Sequence, residues 1–207
     1  MPDGHLTKQA RKKEKYERRQ TEVIDAAASV FAEKGYHGAS TGDIAAKLGI
    51  AQSSLYYYFK SKDEALETVC LKSTKGYVER LQAIVRSPKS TDDKLREAIL
   101  NHIQPIKTIP NYFRTFIGEL RYLPIGRRKK LSKMITEYNA LFEKVLTDGV
   151  AEKIYKKSLD CHLSMLLLIS QCNMSIFWIN EPHGYDIDTI AASIADNFLL
   201  GATIRNT

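Results

Sequence analysis

Cysteine is scarce in this 207-residue chain. Cys70, Cys161 and Cys172 stand far apart, with no CxxC pair and no zinc-ligand spacing. A disulfide framework is therefore not expected, and so sparse and odd a set fits a reducing, cytoplasmic setting. Long apolar runs are missing as well. The most apolar stretch, residues 163–179, is interrupted by Ser164, Ser170, Gln171, Asn173 and Ser175. It is too short and too polar to span a bilayer, so a buried helix is expected there and no membrane partner. The chain opens on polar and basic residues without the apolar centre of a signal peptide. ExxH and HExxH patterns are absent and the five histidines are dispersed, so neither an enzyme, a metal site nor a cofactor is expected. Strand-like alternation of useful length is lacking throughout, which leaves an all-α chain.

Positive charge is plentiful. The net charge is +7 and the isoelectric point near 9.2, a balance that favours a polyanionic partner. Residues 1–20 concentrate it: Lys8, Arg11, Lys12, Lys13, Lys15, Arg18 and Arg19 face only Asp3, Glu14 and Glu17. This segment reads either as a solvated tail or as a basic arm that tracks phosphates.

Helical periodicity predicts about nine helices. The first runs from Arg11 or Arg18 to Lys34, with Val23, Ala27 and Phe31 inward, and Gly35 stops it. The second starts behind Ser40 or Thr41 and ends at Gly49. A third covers Gln52 to Phe59. Ser61 and Glu64 form a capping box for a fourth that continues to Arg86. Thr91 caps a helix bent at Pro105 and reaching Ile109; Pro110 and Pro124 open the next two. The stretch 160–179 is apolar almost all round, the mark of a helix buried on more than one side. After a loop at 181–184, a last helix from Asp188 to Ile204 carries Ala191, Ala192, Ala195 and Gly201, small residues that permit close helix approach. The plan is a basic arm at 1–20, a three-helix module at 21–66 and a larger helical domain at 67–207.

Residues 40–62 hold the chemistry. Two short helices joined by a tight turn form a helix-turn-helix, whose second helix enters the major groove. Leu55, Tyr58 and Phe59 anchor that helix from behind. Gln52 is the base reader, since an amide can bond adenine bidentately, and Tyr56 lies one turn later on the same face. Ser53, Ser54 and Tyr57 suit phosphate contacts. Thr41 and Lys62, at the starts of the second and fourth helices, suit them too.

The combination closely resembles the DNA-binding domain of TetR-type transcriptional repressors. The matching pieces are Phe31-Ala32-Glu33-Lys34-Gly35, Thr41-Gly42-Asp43-Ile44-Ala45, Leu48-Gly49-Ile50, Ser54-Leu55-Tyr56-Tyr57-Tyr58-Phe59 and Lys60-Ser61-Lys62. The resemblance implies a homodimer paired through its last two helices, 160–179 and 188–204, on a palindromic operator in double-stranded DNA. It also implies a larger domain that binds a small-molecule effector and then releases DNA, with the fourth helix as the lever. One departure is Gly42, where the family often has a long base-reading side chain; reading then leans on Gln52, Tyr56 or the basic arm. An activator would use the same residues, whereas a helical sensor acting without DNA would not need Gln52, Tyr57 and Lys62.

A looser resemblance runs through Glu119-Leu120-Arg121-Tyr122-Leu123-Pro124, Arg127-Arg128-Lys129-Lys130, Glu137-Tyr138, Asp148-Gly149-Val150 and Cys172-Asn173. It is similar to a subgroup controlling lipid and sterol catabolism, which implies an acyl-CoA effector. Four basic residues near a helix start oppose its macrodipole and would welcome an anion, or form a solvated charged turn. Phe113, Phe116, Ile117, Leu120, Arg121, Tyr138 and Trp178 are candidates for the ligand site. His102 is either a core histidine or a ligand contact. Gln171 and Asn173 would face a ligand or bond across the dimer.

Overall fold

The computed structural model describes residues 8–179 and 184–203. The loop expected at 181–184 lies outside them except for Gly184, as do Ile204 and residues 1–7 of the basic arm. Eleven α-helices succeed one another among the described residues, with no strand and one isolated bridge between Tyr155 and Thr203. They are the nine expected helices with two of them divided.

Helix α1 (Lys8–Gly38) is regular to Lys34 and breaks at Gly35, whose φ of 69° suits glycine alone without strain. Residues from Lys8 onward of the expected arm are thus already helical. Helix α2 (Thr41–Leu48) is capped by Ser40 in a reciprocal box with Asp43 and closed by Gly49 in the left-handed region. Helix α3 (Gln52–Leu55) is shorter than the expected 52–59. The chain then continues in turns, with Tyr58 N–H and Phe59 N–H both reaching Leu55 O.

Helix α4 (Lys62–Ser73) is capped by Ser61, which accepts from Glu64 N–H at 3.1 Å. The expected box is not reciprocal, because the Glu64 carboxylate takes Lys60 N–H instead. The expected continuation to Arg86 is also corrected. Gly76, at φ 78°, separates α4 from α5 (Tyr77–Arg86). A side chain there would be strained, and its Cβ would stand 2.5 Å from Arg80 Nη1.

Ser90, not Thr91, caps α6 (Thr91–Ile103). Thr91 is buried and donates to Glu152 at 2.5 Å. Proline then sets each entry: α7 (Pro105–Thr108), α8 (Pro110–Glu119), and α9 (Ile125–Ala151) behind Pro124. A 3₁₀ turn, Leu120–Tyr122, follows α8. Helices α10 (Cys161–Met174) and α11 (Ile187–Ala202) are capped by Asp160 and Asp186.

Two apolar cores result. One joins α5, α6 and α9–α11, centred on Leu95, Ile99, Phe142 and Leu168. The other joins α1–α4 around Val23, Ala27, Phe31, Ile44, Leu55 and Leu66, and also takes in Tyr112, Leu123 and Leu131 from α8 and α9 and the link between them. Its own chain covers helix α10 on one side. Met165, Leu168 and Cys172 are buried, while Leu163, Leu166, Leu167 (57% exposed) and Met174 are bare. Of the small residues in α11, Ala191 and Ala195 face the chain's own core; Ala192 and Gly201 lie exposed, beside Leu200 (63% exposed).

Candidate nucleic-acid interface and ligand cavity

Helix α3 is held from behind by Leu55 and Phe59, both buried, so Gln52, Ser53, Ser54, Tyr56 and Tyr57 face outward. Tyr57 is 73% exposed. Gln52 Nε2 donates to Thr41 Oγ1 at 2.7 Å, so the candidate base reader is tied to the candidate phosphate contact on α2. Gly42 lies between them: a Cβ there would sit 3.9 Å from Gln52 Oε1 and 3.4 Å from Ser40 Oγ. The missing side chain thus leaves the Gln52 amide clear. Tyr58 is only partly buried, and its ring stacks on Tyr16 of α1 at 5.9 Å; Tyr16 also meets Tyr57 edge-on at 5.8 Å.

Ion pairs brace α2 on α1. Lys47 bonds Glu33 at 2.7 Å and Lys34 bonds Asp43. The lysine, with the Ser40 cap, holds the Asp43 carboxyl down at about 2. Residues 38–42 spell Gly-Ala-Ser-Thr-Gly, the G-x-S-x-G of a hydrolase nucleophile turn. Here no strand precedes the serine, and Ser40 Oγ is bonded to Asp43 at 2.6 Å. The serine is a helix cap.

Lys62 is placed differently from expectation. Its Nζ donates to Tyr36 O at 2.9 Å and Ala39 O at 3.0 Å and lies 4.3 Å from the centre of the Tyr36 ring. It neutralises carbonyls at the end of α1 rather than standing free for a phosphate. Around it the two domains grip one another. Glu119, the last residue of α8, accepts Tyr36 N–H at 2.6 Å. Tyr122 stacks on Tyr36 at 6.0 Å and meets His37 at 4.5 Å. Tyr36 OH bonds Asp63, and with burial this pushes the phenol up to about 12. Arg127 pairs with Glu67 on α4 at 2.6 Å.

A cavity of about 470 Å³ opens on the other side of the same segment. Of the candidate ligand residues, it brings together His102, Phe113, Phe116, Ile117, Leu120, Arg121, Tyr138 and Asn173. Gln171 and Trp178 do not join them; they line a separate surface cleft with Tyr185 and Asn197. Sequence reasoning missed Thr74 and Tyr77, which enter the wall because the chain breaks at Gly76. It also missed Ser132, Asn139 and Ile169.

The polar groups around His102 are bonded to one another. Asn173 Oδ1, 3.0 Å from His102 Nε2, can only accept, so Nε2 carries the proton. Nδ1 then accepts from Tyr138 OH at 3.0 Å. Tyr77 OH donates to His102 O. Burial lowers His102 to about 4 and raises Tyr138 well above the usual phenol range. The wall is neutral near pH 7. Charge enters through Arg121, which is exposed, and Arg128, which is half-buried. Arg128 is turned toward the carbonyls of Arg121 and Leu123, while Lys129, Lys130 and Lys133 are exposed on α9. Among the described residues no group of acids, histidines and cysteines could hold a metal, and no helix is long and apolar enough to cross a membrane.

Comparison with known proteins agrees with this geometry. Residues 23–69 match the model of bacterial regulatory proteins of the tetR family, and residues 88–202 match a tetracyclin repressor-like C-terminal domain. The chain is 25% identical to the fatty acid metabolism regulator protein of Bacillus subtilis over 181 residues, 87% of this chain and 93% of that protein. It is 26% identical to the transcriptional repressor KstR2 of Rhodococcus jostii over 174 residues, 84% and 85% of the two chains. The crystal structure of the regulator FadR from Bacillus subtilis in complex with stearoyl-CoA superposes with a TM-score of 0.69 at 25% identity. That match covers 86% of this chain and 96% of that one.

Proposed function

The chain belongs to the tetR family of bacterial regulatory proteins, which are DNA-binding transcriptional regulators. From that premise we propose that it is a repressor that leaves its operator when a long-chain acyl-CoA enters the cavity. The observation that carries this reading is the position of the cavity. Leu120 and Arg121 line it, and their neighbours Glu119 and Tyr122 grip residues 36 and 37 at the foot of the DNA-binding module. A ligand that displaces Leu120 and Arg121 must disturb the grip. The release then follows if the ligand prefers the disturbed state. The expected lever, α4, takes part through Thr74 at its C-terminal end.

The size and lining of the cavity favour the ligand class. Its volume falls within the range of small-molecule sites, its wall is otherwise apolar or neutral, and its cations, Arg121 and Arg128, are exposed or half-buried. An acyl chain suits the first two and a phosphorylated head the third. The relatives that regulate fatty acid metabolism or were solved with stearoyl-CoA support the same class. The bare apolar face of α10 and α11 supports a two-fold homodimer, since a patch of this kind marks an association surface. Such a dimer would place two α3 helices on a palindromic operator.

The test is fluorescence anisotropy of the full chain on a duplex selected from a random-sequence pool, titrated with acyl-CoAs of increasing length. Release by low-micromolar long-chain acyl-CoA, and not by coenzyme A alone, is expected. No release at any chain length would reject this ligand class.

A further inference from the structure

The first three turns of α1 carry exposed cations that the helix-turn-helix does not use. Arg11, Lys12 and Lys15 recur at one-turn spacing, so they share one side of the helix. All three are exposed, and among the described residues none has an ion-pair partner. Of the nearby acids, Glu17 falls on the opposite side and pairs with Lys13 at 3.8 Å, and Glu14, one turn from Arg11, makes no ion pair among the described residues. Arg18 and Arg19 are matched by Glu22 at 3.6 and 2.7 Å.

The second observation fixes where this side sits. Tyr16, one turn from Lys12, stacks on Tyr58 and meets Tyr57 edge-on. Tyr57 and Tyr58 follow α3 directly, and Tyr57 stands on its exposed face. The aromatic trio therefore indexes the cationic side of α1 to the recognition helix. From Tyr16 to Arg11 the axis runs on by about 7 Å, so the stripe extends the footprint of α3 in one direction.

We propose that residues 11–19 of α1 are a second DNA-binding element, a helix laid along the phosphate backbone flanking the groove that receives α3. Arg11, Lys12 and Lys15 make the contacts, and Tyr16 is the positioning residue. The occupant is duplex DNA, because the stripe is continuous with a face already suited to it and complementary to its charge. This rests on the DNA-binding reading above.

The experiment compares the full chain, Arg11→Gln/Lys12→Gln/Lys15→Gln, Tyr16→Ala and Tyr16→Phe on the selected duplex. It measures the salt dependence of affinity and the hydroxyl-radical footprint. The triple variant changes only exposed side chains, so its fold is kept. It should lower the slope of log K against log salt by about 2–3, at roughly 0.9 for each phosphate left without its cation. It should also lose protection at the flank while keeping it at the centre. Tyr16→Ala should blur the flanking protection, and Tyr16→Phe should preserve it. An unchanged slope, or a reduced slope with an unchanged footprint, overturns the proposal; the latter would mean diffuse attraction only. A full chain that protects no part of the duplex would instead remove the DNA-binding reading, and this proposal with it.

Discussion

His102 should make the stability of this protein depend on pH in a way that a single substitution removes. In the folded chain the imidazole is buried and neutral, hydrogen-bonded at both nitrogens, and held down to about 4 from an ordinary 6.5. In the unfolded chain it titrates near the ordinary value. Between these two values the unfolded state binds more protons than the folded state, so stability falls as pH falls. Above about pH 6.5 the group contributes no pH dependence. Below it, the loss grows at about 1.4 kcal/mol per pH unit, reaching about 2 kcal/mol at pH 5 and levelling near 3 kcal/mol below pH 4. His102→Gln keeps a donor and an acceptor but cannot titrate. At pH 7.5 it should cost about 1–3 kcal/mol for imperfect pairing with Tyr138 and Asn173. That cost should shrink as the pH is lowered. Urea denaturation of both proteins from pH 4.5 to 8, at one protein concentration, measures the difference directly and cancels the titration of other groups. A difference that stays constant across the range would refute the buried neutral imidazole.

Two further substitutions address the end of α1, where the DNA-binding module meets the larger domain. Lys62→Met removes the cation bonded to Tyr36 O and Ala39 O. It should destabilise the fold by about 1–3 kcal/mol and weaken binding to every duplex without changing the salt slope. A slope lower by about 1 would return Lys62 to the phosphate contacts. Glu119→Gln replaces the charged acceptor of Tyr36 N–H with a neutral one. It should leave acyl-CoA affinity, read by calorimetry, near the parent value while reducing the factor by which acyl-CoA weakens DNA binding. An unchanged factor would take Glu119 out of the coupling route.

Local signals are legible in the sequence where near neighbours decide them. Gly35 and Gly49 end their helices, and Ser40 and Ser61 occupy caps. The break at Gly76 is invisible there, because helical periodicity continues on both sides of it and an interior glycine costs a helix only about 1 kcal/mol. Helix α10 shows a second limit. Apolar residues on every side carry no phase, so the sequence could not separate Asn173, which lines the cavity, from Gln171, which does not. The roles of Lys62, Glu119 and Tyr16 depend on partners 23 to 83 residues away along the chain, or on ring contacts across some forty residues. No periodicity encodes such meetings. Aromatic and basic residue types signal that those positions have work to do, but not with whom.

The core beneath the DNA-binding face is not closed by that module's own residues. Tyr112, Leu123 and Leu131, contributed by the larger domain, complete the packing around Val23, Phe31 and Leu66, and Thr115 OH bonds Ala28 O at 3.1 Å. A segment cut after α4 would expose this apolar surface and leave the Glu119 contact unmade. The reader of DNA is therefore not a cassette that could be transplanted onto an unrelated sensor by joining sequences at the end of α4. Any chimaera would have to carry α8 and the start of α9 with it, or rebuild their buried side chains on the new host. Changes in operator preference by exchange of modules must carry that packing along. Changes made residue by residue on the exposed side of α3 remain open.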